Sequence, residues 1–234
     1  MKIIAGNWKM NGSRDALDTM IGAIAPVQTE NRVILCVPFT MVRPGSDKVA
    51  IGAQDISSHV KGAYTGEVSG TMLAEAGAKY VIVGHSERRM YHDETNDIVR
   101  EKVQMALENG LVPIVCVGET MEEKRAGKTF DIIEAGVRES LPADVRDDII
   151  VAYEPRWAIG AGITPTTQEI ADAHKVIADT LSYMGFDGTP ILYGASVNSG
   201  NVADIVAIRN VGGVLVGGAS LKPQEFVTII ENAK

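Results

Sequence analysis

Three side chains that could do acid–base chemistry each follow a short apolar run: Lys9 the first run, His85 the fourth and Glu154 the sixth. A glutamate can act as a general base that moves a proton at a carbon next to a carbonyl. A histidine at a helix start is kept as a neutral hydrogen-bond donor, because the helix N-terminus disfavours the imidazolium. A lysine supplies a fixed positive charge for an enediolate oxygen or a phosphate. Together they predict proton transfer on a small phosphorylated carbonyl compound.

Glycine-rich turns follow the last two apolar runs. Gly194 leads to Ser196 after the seventh run, and Gly217 and Gly218 follow the eighth. Such turns expose backbone N–H groups, which form the usual phosphate cradle of a (β/α)8 barrel. Because no two histidines share a face and no carboxylate cluster stands free, we expect no metal site.

Each of these residues also has a plainer interpretation. Lys9 alone could be a solvated surface cation, His85 a helix-start residue with a satisfied ring, and Glu154 a surface carboxylate. The glycines could be ordinary turn residues. The functional interpretation is favoured because all of them come at the ends of strands that open onto the same face.

The elements that position these residues are eight short apolar runs with little polar alternation. Strands of this kind are buried on both faces, as in a parallel sheet covered by helices. The runs lie at residues 2–5, 33–37, 49–53, 80–83, 112–117, 149–153, 190–193 and 213–216.

Helical spacing appears between the runs, at 96–109, 167–181 and 221–230, and Thr166 with Glu169 has the spacing of a capping box. Eight strands alternating with helices predict a single (β/α)8 barrel domain over residues 1–234, with its active site at the carboxyl ends of the strands. An open doubly wound sheet is the alternative, but the first run does not feed a G-x-G-x-x-G turn. The short crossover at 38–48 predicts a short or distorted second helix.

The segment 155–162 after the glutamate has the pattern of a lid. It begins with the stiff Pro155, has an apolar centre and ends with Gly160 and Gly162. Closing such a flap would exclude water from a carbanion-like intermediate. The alternative interpretation is an ordinary loop with two incidental glycines.

Composition excludes several classes of partner. The chain has 22 basic and 30 acidic side chains and a net charge of −8, which argues against nucleic acid and anionic membranes as partners. No apolar stretch approaches the roughly 18 residues of a spanning helix, and the start lacks a leader pattern, so we expect a cytoplasmic protein. Cys36 and Cys116 lie in apolar runs and are expected to be buried free thiols.

Seven segments in this order resemble the triosephosphate isomerase family over essentially the whole chain: AGNWKMN (5–11), GAYTGE (62–67), GHSERR (84–89), AYEP (152–155), WAIG (157–160), YGASV (193–197) and LVGGASL (215–221). The resemblance implies a TIM barrel that interconverts dihydroxyacetone phosphate and glyceraldehyde 3-phosphate without a cofactor, in glycolysis and gluconeogenesis. It also implies a homodimer in which the loop 63–67 reaches the neighbouring subunit, with Thr65 crossing the interface.

The resemblance further implies a role for each site residue. Glu154 would be the base and His85 the neutral electrophile, while Asn7 and Lys9 would bind substrate and stabilise the enediolate. Glu87 would support Lys9. The phosphate would be bound by backbone N–H groups of four residues, Gly160, Ser196, Gly217 and Gly218.

Two residues depart from the family pattern. Arg156 stands where the family usually has a small apolar residue, and Ala195 replaces a usual glycine. If position 195 has a positive φ, alanine would be strained there by roughly 1 kcal/mol. Two functions are alternatives to the isomerase reaction. The protein could be another barrel enzyme acting on a sugar phosphate, or a catalytically silent barrel with a binding or structural role.

Overall fold

Parallel strands close into a ring in chain order in the computed structural model, which describes residues 1–143, 148–159 and 164–234. Each strand pairs in parallel with the next, and the last pairs with the first. The predicted (β/α)8 barrel is therefore confirmed. Within the described residues the eight strands are β1 (Ile3–Asn7), β2 (Arg32–Cys36), β3 (Val49–Ala53), β4 (Tyr80–Val83), β5 (Val112–Val117), β6 (Ile150–Tyr153), β7 (Ile191–Tyr193) and β8 (Gly213–Val216).

The first strand is longer than its apolar run suggests. Gly6 pairs with Leu35 and Asn7 with Cys36, so both belong to β1 and not to the loop after it. Placing Asn7 after the strand was wrong, because pairing with β2 continues past the last apolar residue. Asn7 is therefore held by the sheet itself.

Helices cover the outside of the barrel, and none in the described part of the chain is long and apolar enough to cross a membrane. The predicted helices are confirmed to within about two residues, and Thr166 and Glu169 form the predicted capping box. The helices are α1 (Arg14–Ile24), α2 (Gly70–Glu75), α3 (Ser86–Tyr91), α4 (Asn96–Glu108), α5 (Met121–Arg125), α6 (Thr129–Ser140), α7 (Thr167–Tyr183), α8 (Val202–Ala207) and α9 (Pro223–Asn232).

The crossover from β2 to β3 contains one 3-10 turn, Phe39–Met41, in place of an α-helix. Pro38 precedes this turn and Pro44 follows it, and proline can neither continue a helix nor donate a backbone hydrogen bond. The prediction of a short or distorted second helix is confirmed, since three residues in a 3-10 turn take its place.

The barrel buries apolar side chains in two layers, which explains why the strands read as unbroken apolar runs. Along β5, Ile114 and Cys116 face the barrel interior, whereas Val115 and Val117 pack against the helices. Cys36 also faces the interior, and both cysteines are buried and free, as predicted.

A buried histidine lies behind the strand that leads to the glutamate. His174 of α7 has no exposed surface; its Nδ1 lies 3.2 Å from the carbonyl oxygen of Asn210, and its ring meets Tyr153 edge-on. Burial lowers the pKa of His174 to about 4, and the hydrogen bond with Asn210 offsets this only in part.

This pKa predicts an acid-sensitive contribution to stability. The unfolded histidine has a pKa near 6.5, so between about pH 6.5 and 4 the unfolded state binds more protons and the free energy of unfolding falls as the pH falls. The contribution lost amounts to about 3 kcal/mol below pH 4. In urea titrations at several pH values, His174→Asn should remove this part of the pH dependence, whereas His92→Asn on the surface should keep it. Parallel pH curves for His174→Asn and the unsubstituted protein would contradict the assignment.

Candidate active site

The carboxyl ends of the strands surround a cavity of about 470 Å³. The described catalytic and phosphate-binding residues predicted from the sequence all line it: Asn7, Lys9, His85, Glu87, Glu154, Ser196, Gly217 and Gly218. The ninth, Gly160, lies outside the described residues. A larger cavity of about 610 Å³ opens at the other end of the barrel, beside Ile3 and Ile191, and none of the predicted residues lines it.

Glu154 and His85 meet across the mouth of the barrel, after β6 and at the start of α3. The Oε1 atom of Glu154 lies 3.2 Å from Nε2 of His85, and its Oε2 accepts a hydrogen bond of 3.3 Å from the backbone N–H of Ser86. Burial raises the pKa of Glu154, but His85, the Ser86 N–H and Lys9 together lower it further, so the pKa lies below its usual value. The carboxylate is therefore ionised at neutral pH.

The ring of His85 is oriented by the helix that it caps. Its Nδ1 accepts a hydrogen bond of 3.2 Å from the backbone N–H of Glu87, which requires an unprotonated Nδ1 and places the ring proton on Nε2. Burial lowers the pKa of His85, but the adjacent Glu154 carboxylate raises it further, so the net shift is upward. The sequence alone attributes the charge state of the ring to the helix N-terminus. In the structure, the nearby carboxylate of Glu154 has the larger effect on the pKa of the ring.

Lys9 has a backbone conformation that lysine rarely adopts, with φ at +52°. Its own N–H donates a hydrogen bond of 2.9 Å to the side-chain oxygen of Asn7, and its Nζ lies 2.6 Å from Glu87 Oε1. A left-handed residue other than glycine costs on the order of 1–2 kcal/mol and is maintained only by its surroundings. Asn7 and Glu87 thus fix the lysine in the cavity wall.

The glycine-rich turns lie opposite this lysine. Gly217 precedes a 3-10 turn, Gly218–Leu221, and a Cβ atom at Gly217 would lie 3.8 Å from Cε of Lys9. Ser196 has φ at +47°, and its hydroxyl donates a hydrogen bond of 3.2 Å to the carbonyl oxygen of Ala158. Ala195 is outside the left-handed region, so the suggested strain at this substitution is not found and falls on Ser196 instead.

The described base of the predicted lid, residues 155–159, is held to the turn after β5, whereas 160–162 lie outside the described residues. Trp157 lies in a 3-10 turn, Arg156–Ala158, and its indole N–H donates a hydrogen bond of 2.8 Å to Glu119 Oε1. The hydroxyl of Tyr153 lies 3.2 Å from the same carboxylate, and Nζ of Lys124 is 3.6 Å from the centre of the indole ring.

Sequence reasoning missed three residues at the site. The Ser86 N–H donates a hydrogen bond to the carboxylate of Glu154, burial and this carboxylate raise the pKa of the Cys116 thiol, and Glu119 accepts a hydrogen bond from Trp157. A signal existed for Cys116, because alternation along β5 places it inside the barrel, one residue before the end of the strand. A backbone donor such as the N–H of Ser86 leaves no signal in residue types.

Beneath α3 lies a ring of four charged side chains. Lys102 Nζ lies 2.6 Å from Asp55 Oδ1 and 2.5 Å from Glu94 Oε1, and Arg88 contacts the same two carboxylates at 2.9 and 2.5 Å. Burial raises the pKa of Glu94, but Lys102 and Arg88 lower it below its usual value. Since Arg88 lies in α3, this ring anchors the helix that begins at His85.

A buried carboxylate in contact with a histidine at the carboxyl rim of a (β/α)8 barrel is typical of barrel enzymes, whose active sites lie at this rim. The comparisons with known proteins specify which kind. The family model described as triosephosphate isomerase matches residues 2–233. The chain therefore belongs to the triosephosphate isomerase family and is an isomerase.

Individual relatives cover nearly the whole chain. The triosephosphate isomerase of Vesicomyosocius okutanii is 44% identical, with 97% of each chain covered. That of Bradyrhizobium diazoefficiens is 45% identical over 97% of this chain and 95% of its own. A crystal structure of triosephosphate isomerase from Bartonella henselae superimposes with a TM-score of 0.92 at 38% identity, covering 99% of this chain and 98% of that one.

The charged ring predicts a large effect of Lys102→Met on stability. Two buried carboxylates would lose the more buried of the two cations that they share, and breaking a buried pair in this way costs about 3–5 kcal/mol. Urea unfolding near pH 7 should show this loss. The control Lys175→Met, whose ion pair with Asp179 is exposed, should lose less than about 0.5 kcal/mol. Equal losses in the two variants would contradict the importance of the ring.

Proposed function

We propose that this protein interconverts dihydroxyacetone phosphate and D-glyceraldehyde 3-phosphate by proton transfer through an enediolate, as a cytoplasmic step of glycolysis and gluconeogenesis that needs no cofactor. The observation that carries the proposal is the contact of an ionised, buried Glu154 with His85 in a cavity that also contains Lys9. Membership of the triosephosphate isomerase family supports the choice of substrate.

Glu154 is the proposed base. Its lowered pKa keeps it ionised, so it can accept the proton from the carbon next to the substrate carbonyl and return it to the neighbouring carbon. Hydrogen bonds to His85 and Ser86 hold the carboxylate at the side of the cavity. The substrate carbons would take the place between Glu154 and His85.

His85 is the proposed electrophile, with Lys9 beside it. The proton on Nε2 would be donated to the substrate carbonyl oxygen, where negative charge develops. Once the substrate separates the carboxylate from the ring, burial dominates and favours the neutral imidazole. Lys9, fixed by Asn7 and Glu87, would stabilise the enediolate and bind the substrate.

The phosphate group would be bound opposite the base. Ser196, Gly217 and Gly218 line this side of the cavity, where their backbone N–H groups would bind the phosphate, and Gly160 completes the proposed set from outside the described residues. The net charge of −8 does not oppose an anionic substrate, because the local field of the site comes from Lys9 and these N–H groups. The proposed lid, 155–162, would exclude water during the reaction.

The expected effect of Glu154→Asp tests the role of the base. Aspartate retracts the carboxylate by one methylene, and a misplacement of this order costs about 10²-fold in kcat while KM stays similar. The measurement is a coupled isomerase assay with glyceraldehyde 3-phosphate. Glu134→Asp, at an exposed position on α6, should retain full activity.

Three outcomes would count against the proposal. An unchanged kcat in Glu154→Asp would remove the glutamate from the role of base. A folded protein without isomerase activity before any substitution would instead favour the catalytically silent barrel. Activity on a different sugar phosphate would point to the other rival.

We also propose that the protein is a single barrel domain over residues 1–234 that assembles as a homodimer. A second cavity of about 470 Å³ adjoins the site and shares Lys9 and His85 with it. Exposed apolar side chains, including Met10 and Tyr91, line this cavity. Contiguous exposed apolar surface of this kind indicates a protein interface. The loop around Thr65, which is exposed, would cover it from the partner subunit.

A charge at the tip of this loop should prevent dimer formation. Thr65→Arg would bury an unpaired cation at the proposed interface, which costs several kcal/mol. Sedimentation velocity at micromolar concentration should then show a monomer, with isomerase activity reduced by about tenfold or more. Phe130→Arg, at an exposed position on α6, should remain dimeric. A monomeric protein before any substitution would contradict the proposed assembly.

A further inference from the structure

We infer that Arg156 is a positioning residue for Glu154, because its guanidinium fixes the rim of β5 against the backbone that carries the glutamate. The inference rests on the proposed role of Glu154 as the base. Arg156 itself does not line the cavity that would contain the substrate. Its effect on the reaction is therefore indirect and runs through backbone contacts.

Three successive carbonyl groups at the end of β5 accept hydrogen bonds from the segment that follows β6. The N–H of Glu154 donates to the oxygen of Val117 at 2.8 Å, and the N–H of Arg156 donates to the oxygen of Glu119 at 2.9 Å. The carbonyl between them, that of Gly118, accepts a hydrogen bond of 2.8 Å from the side chain of Arg156, through Nε. A parallel neighbour supplies backbone donors only to alternate carbonyls, so Gly118 needs a side-chain donor.

Gly118 lies directly against the glutamate backbone. A Cβ atom at this position would lie 1.9 Å from the carbonyl oxygen of Glu154 and 3.3 Å from the nitrogen of Pro155. Only glycine permits this approach. Any movement of Gly118 is therefore transmitted to the peptide bond between Glu154 and Pro155.

The alternative role for Arg156 is a surface ion pair with Glu123. Their closest atoms, NH2 of Arg156 and Oε2 of Glu123, are 3.8 Å apart, and the two side chains are 23% and 29% exposed. A partly exposed pair at this distance contributes little. The bond to the Gly118 carbonyl, at 2.8 Å, is within hydrogen-bond distance, whereas the separation of 3.8 Å from Glu123 is not, which makes the former the stronger of the two contacts.

A second arginine bonds the preceding rim carbonyls in the same manner. Arg89 of α3 donates from Nε to the oxygen of Gly84 at 2.8 Å and from NH2 to that of Cys116 at 3.1 Å. Arg89 and Arg156 line one cavity on the outer side of this rim. Together the two arginines donate hydrogen bonds to three backbone carbonyls, one after β4 (Gly84), one in β5 (Cys116) and one after β5 (Gly118).

An apolar side chain at position 156 cannot donate a hydrogen bond to the Gly118 carbonyl. Arg156→Val should therefore lower kcat by about three- to tenfold through a small displacement of Glu154, with KM changed by less than about twofold. Arg156→Lys, which keeps one cationic donor on a long side chain, should restore most of the lost kcat. Glu123→Gln removes the ion pair but keeps the capping box of α5, and it should leave kcat unchanged.

Backbone hydrogen exchange tests the same contact without any activity. The N–H groups of Glu154 and Arg156, which bond to Val117 and Glu119, should exchange about tenfold faster in Arg156→Val. Arg138→Ala, which removes an exposed arginine of α6, should not change them.

The inference is overturned if Arg156→Val leaves both kcat and this exchange unchanged, or if Glu123→Gln reproduces its effects. A rise in KM without a fall in kcat would also overturn it. Should the unsubstituted protein prove inactive, the proposed function fails, while the exchange measurement still decides whether Arg156 fixes the glutamate backbone.

Discussion

Closure of the strand ring is the constraint from which the site follows. Parallel pairing of every strand with the next, and of β8 with β1, directs all carboxyl ends to the same rim. Residues far apart in sequence then share one cavity, as the contact of His85 with Glu154 shows. These two follow β4 and β6, and the strand between them, β5, accepts the N–H of Glu154 at the carbonyl of Val117 and places Cys116 in the barrel interior.

Within this frame, burial and charge oppose each other at each ionised group. Burial alone would raise the pKa of Glu154 and neutralise it, and only the facing His85, the Ser86 N–H and Lys9 keep it ionised. The same balance holds beneath α3, where Lys102 keeps Glu94 ionised. In both places a buried charge persists because its partner is within hydrogen-bond distance. The reactive carboxylate is thus maintained by the same physics as a structural ion pair.

Local sequence was sufficient to predict the barrel and many of the residues at its rim. Apolar runs buried on both faces specified the strands, and the spacing of Thr166 and Glu169 specified the start of α7. The polar residues that follow the strands were predicted to lie at one rim, and the described candidates do line one cavity. Their individual roles stay predictions. These features are visible because they repeat within a few residues.

Contacts between distant segments could not be predicted in the same way. The partner of Arg156 is the backbone of Gly118, and nothing in residue types identifies a carbonyl that lacks a donor. The charge of His85 depends on how close Glu154 lies, which only the folded barrel determines. The left-handed φ fell on Ser196 and not on Ala195, because the fold sets backbone angles along the whole turn.

The pairing of β8 with β1 has a consequence for how the protein is made. The site lies on the seam between the two ends of the chain: the indole N–H of Trp8 bonds to the carbonyl of Ser220 at 3.1 Å, and Gly217 packs near Lys9. During synthesis from the N-terminus, Lys9 exists long before its neighbours across the seam. A ring closed by contacts of such large sequence separation forms slowly, and until then strand edges stay open to wrong pairing. The cavity therefore becomes complete only after the last strand has left the ribosome.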